Sequence, residues 1–174
     1  MNYQRLLGLG GAVLILASGL LAGPREFRNG SFYLTPQVGV NRWTVPFGVN
    51  AEWAISPNVG LGGTGMFWLY GSKDYDYSVF TVIGDVAYHF TKLNAKDLDL
   101  YAGGGLGFDI VSSKRRSDFF GESHAGASGL FLVPFVGLRY YLTPKLALSL
   151  RLLVAFIGDW PGAQAFIGVT FRLK

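Results

Sequence analysis

The sequence predicts an all-β fold: an eight-stranded antiparallel up-and-down transmembrane β-barrel. Three observations favour it. Beyond the first two dozen residues, eight runs carry an apolar side chain at every second position, which is the period of a β-strand. The turns between the runs alternate between short and long, and aromatic residues mark both ends of the apolar face. Polar and charged residues fill the opposite face, which a membrane barrel turns toward its lumen.

The composition narrows the class of protein further. The chain has 174 residues, of which 50% are hydrophobic and 15% are charged, against roughly 25% charged in a typical soluble domain. Past the N-terminus no run of about 20 apolar residues could form a spanning helix, so the apolar content belongs to strands. The absence of Cys excludes disulfides and thiolate sites, and the scattered basic residues of this +4 chain predict no nucleic-acid partner.

The N-terminal segment is typical of a signal peptide over residues 1–23, followed by the barrel domain over residues 24–174. Arg5 precedes an apolar core and then small residues, which is the layout of an exported chain. Cleavage near Ala22 or Gly23 and retention as a membrane anchor are both compatible with this pattern. Pro24 stands where a lipidated Cys would be, so a lipoprotein is excluded.

Eight elements follow in order. The first two carry outward apolar residues at every second position, starting at Phe32 and Phe47, and the third is rich in Gly. The fourth and fifth alternate outward apolar residues with inward polar ones, among them Asp85, Asp99 and Asp109. The sixth repeats the alternation, the seventh carries mostly Leu at its outward positions, and the eighth alternates from Ala165. The predicted ranges are 31–41, 46–55, 59–70, 78–90, 98–111, 129–142, 146–156 and 163–174. Because Pro36 and Pro134 cannot donate to a ladder, we expect a bulge or an early end of pairing at each.

The connections set the orientation of the barrel. Short turns follow the even strands, and the longest connection, residues 112–128, follows the fifth strand, which places both chain ends in the periplasm. Lys114, Arg115 and Arg116 lie in this long loop. Since outer-leaflet lipopolysaccharide carries phosphates, we predict a lipopolysaccharide contact there, with a merely solvated loop as the alternative.

The inward face carries charges of both signs in its periplasmic half. We predict that they form an ionic network, whose members are Glu52, Asp85, Asp99, Arg139, Arg151 and Arg172. Glu52 and Arg139 lie on strands that face each other across the lumen, and an unpaired buried charge is very unfavourable, so these two should pair. His89 is expected to join this polar plug. A gate or a proton path is the alternative role of the same residues.

No motif in the chain requires a catalytic residue, a cofactor or a metal. Gly60, Gly62 and Gly65 match a dinucleotide-binding spacing, but a strand follows them in place of the helix that such a site needs. His124 lies in the long loop with Ser and acidic residues, which leaves a hydrolase of outer-leaflet lipid as an alternative. No group of His and carboxylate residues has the spacing of a metal site.

Five segments carry a family resemblance: GVNAEWAISPNVGLGG, AYHF, DLYAGGGLGF, GLRYYLTPKLALSLR and FIGVTFRLK, within residues 30–174. They resemble the small outer-membrane β-barrel proteins of Bacteroidetes and related Gram-negative bacteria, the OmpA/OmpX-like and opacity-protein-like barrels. The resemblance implies an eight-stranded barrel in the outer membrane of a Gram-negative bacterium, with the barrel-assembly machinery as a partner. It implies little about activity, because a fold does not fix a function.

The sequence therefore predicts an integral outer-membrane protein with a structural or surface-interaction role, a lumen plugged by side chains, and no enzymatic activity. We expect a monomer in contact with outer-membrane lipid and lipopolysaccharide. A small-solute channel and a lipid hydrolase using loop 112–128 remain the alternatives. A soluble barrel of lipocalin type is disfavoured because Asp85, Arg139 and Arg151 face the interior.

Overall fold

The computed structural model describes residues 27–71, 75–91, 97–115, 123–155 and 162–173. Its eight strands are β1 (Phe32–Val40), β2 (Phe47–Ala54), β3 (Val59–Gly71), β4 (Tyr75–His89), β5 (Leu98–Arg115), β6 (Ser123–Thr143), β7 (Leu146–Val154) and β8 (Ala163–Arg172). Each strand pairs antiparallel with the next, and β1 pairs with β8, so the barrel is closed. The predicted fold class is confirmed. The predicted signal peptide lies outside the described residues.

The wall of the barrel is apolar outside and polar inside, as the alternation predicts. Leu148, Leu150 and Leu152 point outward on β7, with 36% to 49% of their surface exposed, whereas Arg151 between them is 3% exposed. Outward aromatic residues lie toward both ends of the wall, and Phe47, Phe67 and Phe80 form a row of direct register partners across β2, β3 and β4. No described helix is long and apolar enough to cross a membrane.

The strands are of very different lengths, and this corrects one prediction. β5 has 18 residues and β6 has 21, whereas about 9–11 residues suffice for a strand to cross a bilayer. The ladder between β5 and β6 continues as far as the pair Lys114 and Ser123. The predicted loop 112–128 is therefore wrong at both ends: residues 112–115 continue β5 and residues 123–128 begin β6, because the backbone pairing continues beyond the apolar alternation.

The two prolines behave differently from each other. Pro134 stays paired with Gly104 of β5, but pairing of β6 with β7 ends one residue away, at Phe135, which matches the expected early end. Pro36 produces no bulge: the register of β1 is constant against both neighbours. The prediction of a bulge at Pro36 is wrong, because the missing N–H removes ladder pairs to β8 at Thr35 and Pro36 without displacing the strand.

Candidate functional site

The end of the lumen near the chain termini, which is periplasmic in the predicted orientation, holds four buried ionisable side chains. We call them the mouth cluster: Glu52, His89, Asp99 and Arg139. Arg139 forms an ion pair with Glu52, and its Nη1 lies 3.8 Å from Oδ2 of Asp99. The ring of His89 bridges the two acids, with Nε2 2.8 Å from Glu52 Oε1 and Nδ1 2.9 Å from Asp99 Oδ1. A ring that donates from both nitrogens to carboxylates is positively charged, so the cluster is neutral overall.

The register of the sheet assembles this cluster. Asp99 of β5 and Arg139 of β6 are direct partners, so their charges meet on adjacent strands. The guanidinium of Arg139 also lies 5.1 Å from the ring centroid of Tyr33 and 4.9 Å from that of Tyr101, within the range of cation–π attraction. On β3, Gly60 supplies the room, because a Cβ there would collide with the carboxylate of Glu52.

A second ionic group lies one layer further into the lumen. Arg151 Nη2 is 2.8 Å from Oδ2 of Asp85, and its Nη1 donates to Thr64 at 2.8 Å. Asn50 also donates to Thr64, and the guanidinium of Arg151 lies 3.8 Å from the ring centroid of Phe135. Asp85 and Arg151 are 5% and 3% exposed. Their charges cancel, so this layer is neutral as well.

The outer half of the lumen holds a large apolar cluster, which the sequence reasoning did not anticipate. We call it the outer cap; its members include Met66, Trp68, Val79, Ile83, Phe131, Val133, Leu153 and Phe166. Gly105 and Gly107 of β5 leave room for them, since a Cβ at Gly107 would lie 2.5 Å from the ring of Phe131. Buried polar side chains lie at the same depth: Thr81 donates to Asp109, and Gln164 is 3% exposed. The two ionic layers thus lie toward the periplasmic end, and the outer end is filled mainly by apolar side chains.

The segment before β1 closes the periplasmic mouth. Phe27 is 4% exposed, and its ring stacks on His89 with 3.5 Å between centroids and an 8° interplanar angle. The backbone N–H of Arg28 donates to Tyr33 Oη at 2.8 Å, and the N–H of Gly30 donates to the carbonyl of Ala54 at 2.8 Å. Phe27 therefore covers the mouth cluster from the periplasmic side.

Comparison with solved structures identifies the architecture. The N-terminal β-barrel domain of Pseudomonas aeruginosa OprF is 17% identical, with a TM-score of 0.57, and 83% of this chain covers 98% of that domain. A major outer membrane protein of Thermus thermophilus is 14% identical (TM-score 0.58; 82% and 99% covered), and Neisserial surface protein A is 14% identical (0.55; 83% and 94%). No family model and no curated protein matches the chain.

The chain has the fold of the small outer-membrane β-barrels. The resemblance found in the sequence is thereby confirmed for the fold. The apolar exterior is consistent with this fold, because only a closed barrel or a helix can cross lipid with every backbone group paired. The outer-membrane barrel is therefore the frame in which the side chains of the lumen act.

The structure brings together five of the six residues predicted for the lumen of this outer-membrane barrel. Glu52, Asp99 and Arg139 meet in the mouth cluster, and Asp85 and Arg151 meet one layer further in. Arg172 lies at the periplasmic rim instead, where it is half-buried and lines a small cavity with Arg28 and Lys145.

The other singled-out residues lie at the two ends of the barrel. Lys114 and Arg115 are the last two residues of β5, and Arg116 lies outside the described residues. His124 lies in β6, and the acids of the proposed hydrolytic set lie outside the described residues. In the described part of the chain, no His, Cys, Asp and Glu group is arranged to hold a metal.

Two features of the lumen lay beyond the sequence reasoning. Phe27 precedes the first strand, so no alternation signals that its ring enters the mouth. The outer cap was visible in principle, because Met66, Trp68, Phe131 and Val133 occupy inward positions near the outer ends of β3 and β6. Counting inward residues by depth, and not only by charge, would have found it.

Proposed function

We propose that this is an integral outer-membrane protein of a Gram-negative bacterium, a closed barrel whose strands β5 and β6 extend above the outer leaflet. Its role is structural and surface-directed, without catalysis. The observation that carries this proposal is the inverted wall: Leu148 and Leu152 lie outside while Arg151 lies within. Residues 1–23 are the signal peptide that exports the chain, the assembly machinery inserts it, and it acts as a monomer.

Cell fractionation and gel mobility test the location. The protein should co-purify with the outer membrane and migrate differently with and without boiling, since closed barrels resist detergent until heated. Its intact mass should show that the first 23 residues have been removed. Recovery in the soluble periplasmic fraction, or a mobility that heating does not change, would contradict the proposal.

The lumen is proposed to be plugged. An eight-stranded barrel is only wide enough to be filled by side chains or to hold one small ligand. Here two neutral ionic layers lie below an apolar cap that includes Trp68, Ile83 and Phe131. Ions would have to pass the side chains of that cap, which fill this end of the lumen. In planar bilayers we expect no discrete conductance steps, and reproducible steps that scale with protein would favour the small-solute channel instead.

The proposed surface role is supported by the three long neighbouring strands on one side of the barrel. β4, β5 and β6 have 15, 18 and 21 residues, whereas β1, β2, β7 and β8 have 8 to 10. Lys114 and Arg115 lie at the end of this long ladder, and Arg116 follows them in the sequence. We propose that they contact lipopolysaccharide phosphates, because basic side chains form charge-assisted hydrogen bonds with such groups.

A matched pair of variants tests the surface role. The triple variant Lys114→Gln, Arg115→Gln, Arg116→Gln should weaken binding of purified lipopolysaccharide to the refolded barrel, and added salt should weaken the wild type in the same way. Arg28→Gln removes a cation at the opposite end and should leave this binding unchanged. Equal loss of binding in both variants would mean that binding depends on the net charge of the protein and not on these residues. No loss in the triple variant would rule out the contact.

A further inference from the structure

Three aromatic side chains lie in contact at the outer end of the barrel, where β3 and β4 extend beyond the start of β2. We call them the outer shelf: Trp43, Tyr70 and Tyr77. The ring centroid of Tyr70 lies 5.8 Å from that of Trp43 and 5.9 Å from that of Tyr77. Trp43 and Tyr70 remain 40% and 36% exposed. The contact therefore leaves part of each ring open to a further molecule.

The outer shelf faces the lumen side of the wall. Tyr70 and Tyr77 are direct register partners on β3 and β4. They lie two positions nearer the outer end than Trp68 and Val79, which are buried in the outer cap, so alternation places all four on the same face. Outward rings at this end, such as Phe67, belong to the aromatic girdle that a barrel presents to lipid. Contact with lipid explains Phe67 but not the outer shelf.

The outer shelf also lies above the girdle. Along the ladder of β3 and β4, the pair Tyr70 and Tyr77 comes three residues beyond the outward pair Phe67 and Phe80. That spacing is roughly 10 Å of strand, at about 3.3 Å per residue. In the proposed orientation, this is the level of the saccharides that the outer leaflet carries.

The backbone at Trp43 is held by its own connection. Oδ1 of Asn41 accepts hydrogen bonds from the N–H of Trp43 at 2.9 Å and from the N–H of Thr44 at 2.8 Å. These bonds fix the β1–β2 connection at the residue whose ring contacts Tyr70. Since the ring is positioned in advance, little ordering is needed when a ligand stacks on it.

The neighbours of these rings are polar and positively charged. Arg42, the residue before Trp43, is exposed, and Ser113 is the register partner of Tyr77 on β5. Flat ring faces beside hydroxyl groups suit a sugar ring, whose C–H groups stack on an aromatic face while its hydroxyls form hydrogen bonds. The guanidinium of Arg42 favours a saccharide that carries phosphate or carboxylate groups.

We propose that the outer shelf binds the anionic saccharide of lipopolysaccharide. A sugar ring stacks on the exposed faces of Trp43 and Tyr70, and Arg42 pairs with an anionic substituent of that saccharide. The occupant is a saccharide and not an acyl chain, because the rings lie on the lumen side of the wall. This inference rests on the proposed surface role and names the part of lipopolysaccharide that this end of the barrel recognises.

Calorimetric titration of the refolded barrel with the oligosaccharide of lipopolysaccharide, freed of its acyl chains, tests the proposal. We expect the oligosaccharide alone to bind. Trp43→Ala combined with Tyr70→Ala should lower its affinity roughly tenfold, because two stacking partners are lost. Phe47→Ala, which removes an outward ring of the girdle, should leave the affinity unchanged. Equal affinity in the wild type and the double variant would overturn the proposal.

Salt separates stacking from charge. Arg42→Gln should weaken binding at low ionic strength and have little effect at high salt, since salt screens exposed charges. The double variant should lose affinity under both conditions, whereas Trp43→Phe, which keeps an aromatic face, should retain most of it. A loss in the double variant that disappears at high salt would mean that the rings are not the binding surface.

A peptide and intact lipopolysaccharide separate the remaining outcomes. A proline-rich peptide that binds the wild type but not the double variant, while the oligosaccharide binds both equally, would reassign the outer shelf to a protein partner. Heat-dependent mobility on an unboiled gel shows that each variant is folded. A barrel that binds intact lipopolysaccharide through residues 114–116, but not the oligosaccharide, overturns this inference and leaves the proposed surface role intact. A barrel that binds lipopolysaccharide in neither form overturns both.

Discussion

Replacing Arg139 by Met should destabilise the barrel strongly, because it leaves an acidic excess where water cannot reach. The mouth cluster holds two carboxylates, one guanidinium and one imidazolium, so the substitution changes its net charge from zero to minus one. Glu52 is 3% exposed and Asp99 is 0% exposed. Removing one partner of a buried ion pair costs about 3–5 kcal/mol. Met also loses the cation–π contacts of the guanidinium with Tyr33 and Tyr101, which adds to the electrostatic loss.

A double-mutant cycle isolates that loss. Glu52→Gln alone leaves the cluster with a charge of plus one, whereas Glu52→Gln combined with Arg139→Met returns it to zero, since His89 and Asp99 still form an ion pair. The double variant should therefore lose less stability than the sum of the single variants, by at least about 1.5 kcal/mol. Lys145→Met, an exposed position at the same end, should change stability by no more than about 0.5 kcal/mol.

Equilibrium urea unfolding in phospholipid vesicles, followed by Trp fluorescence and by the unboiled gel, measures each free energy of unfolding. Two results would refute the reasoning. A loss below about 1 kcal/mol for Arg139→Met would mean that Glu52 is not a buried charge that needs this partner. Strict additivity in the cycle would mean that the two residues do not share one electrostatic cluster.

Three further predictions concern space, access and lipid. Gly60→Ala should cost about 1–3 kcal/mol in the same unfolding assay, because its Cβ meets a buried carboxylate, whereas Gly63→Ala, whose nearest neighbour would be 3.5 Å away, should cost much less. Phe27→Ala should speed exchange of the ring N–H protons of His89 with water roughly tenfold as the mouth opens; an unchanged exchange rate by NMR would mean that Phe27 is not the cover. Leu150→Arg should cost about 2–4 kcal/mol in vesicles, and a loss no larger than that of Leu150→Met would place this face away from lipid.

The sequence predicted the fold because the strand alternation is a direct record of which side each residue faces. A shift of one residue in register would turn every lipid-facing side chain of a strand into the lumen and every lumen-facing one toward lipid. The alternation of β7 and β8 therefore determines which of their residues fill the interior. The same logic placed Glu52 opposite Arg139, since positions near periplasmic turns lie at similar depth. Arg172 is the last residue of β8 and lies at the rim, not at the depth of the two ionic layers.

The remainder depended on information that alternation does not contain. The sequence predicted a loop over residues 112–128 because the apolar alternation of the wall ends at Val111, although the backbones of residues 112–115 and 123–128 are paired. The spacing of Gly60 and Gly62 resembles a nucleotide-binding motif. In the structure their missing side chains leave room for the carboxylates of Glu52 and Asp85. Such close approaches depend on which strands become neighbours, and a single strand does not reveal them.

Because ladder pairs are missing beside Pro36, β1 and β8 share six partner pairs, the smallest number between any two neighbouring strands in the described part of the wall. The hydroxyls of Thr35 and Thr170, 2.8 Å apart, tie the two strands together across that interruption. This line is also where the first and the last strand of the chain meet, so it can form only after every other hairpin exists. Assembly should therefore end there, and amide protons along this line should exchange with solvent sooner than those elsewhere in the wall.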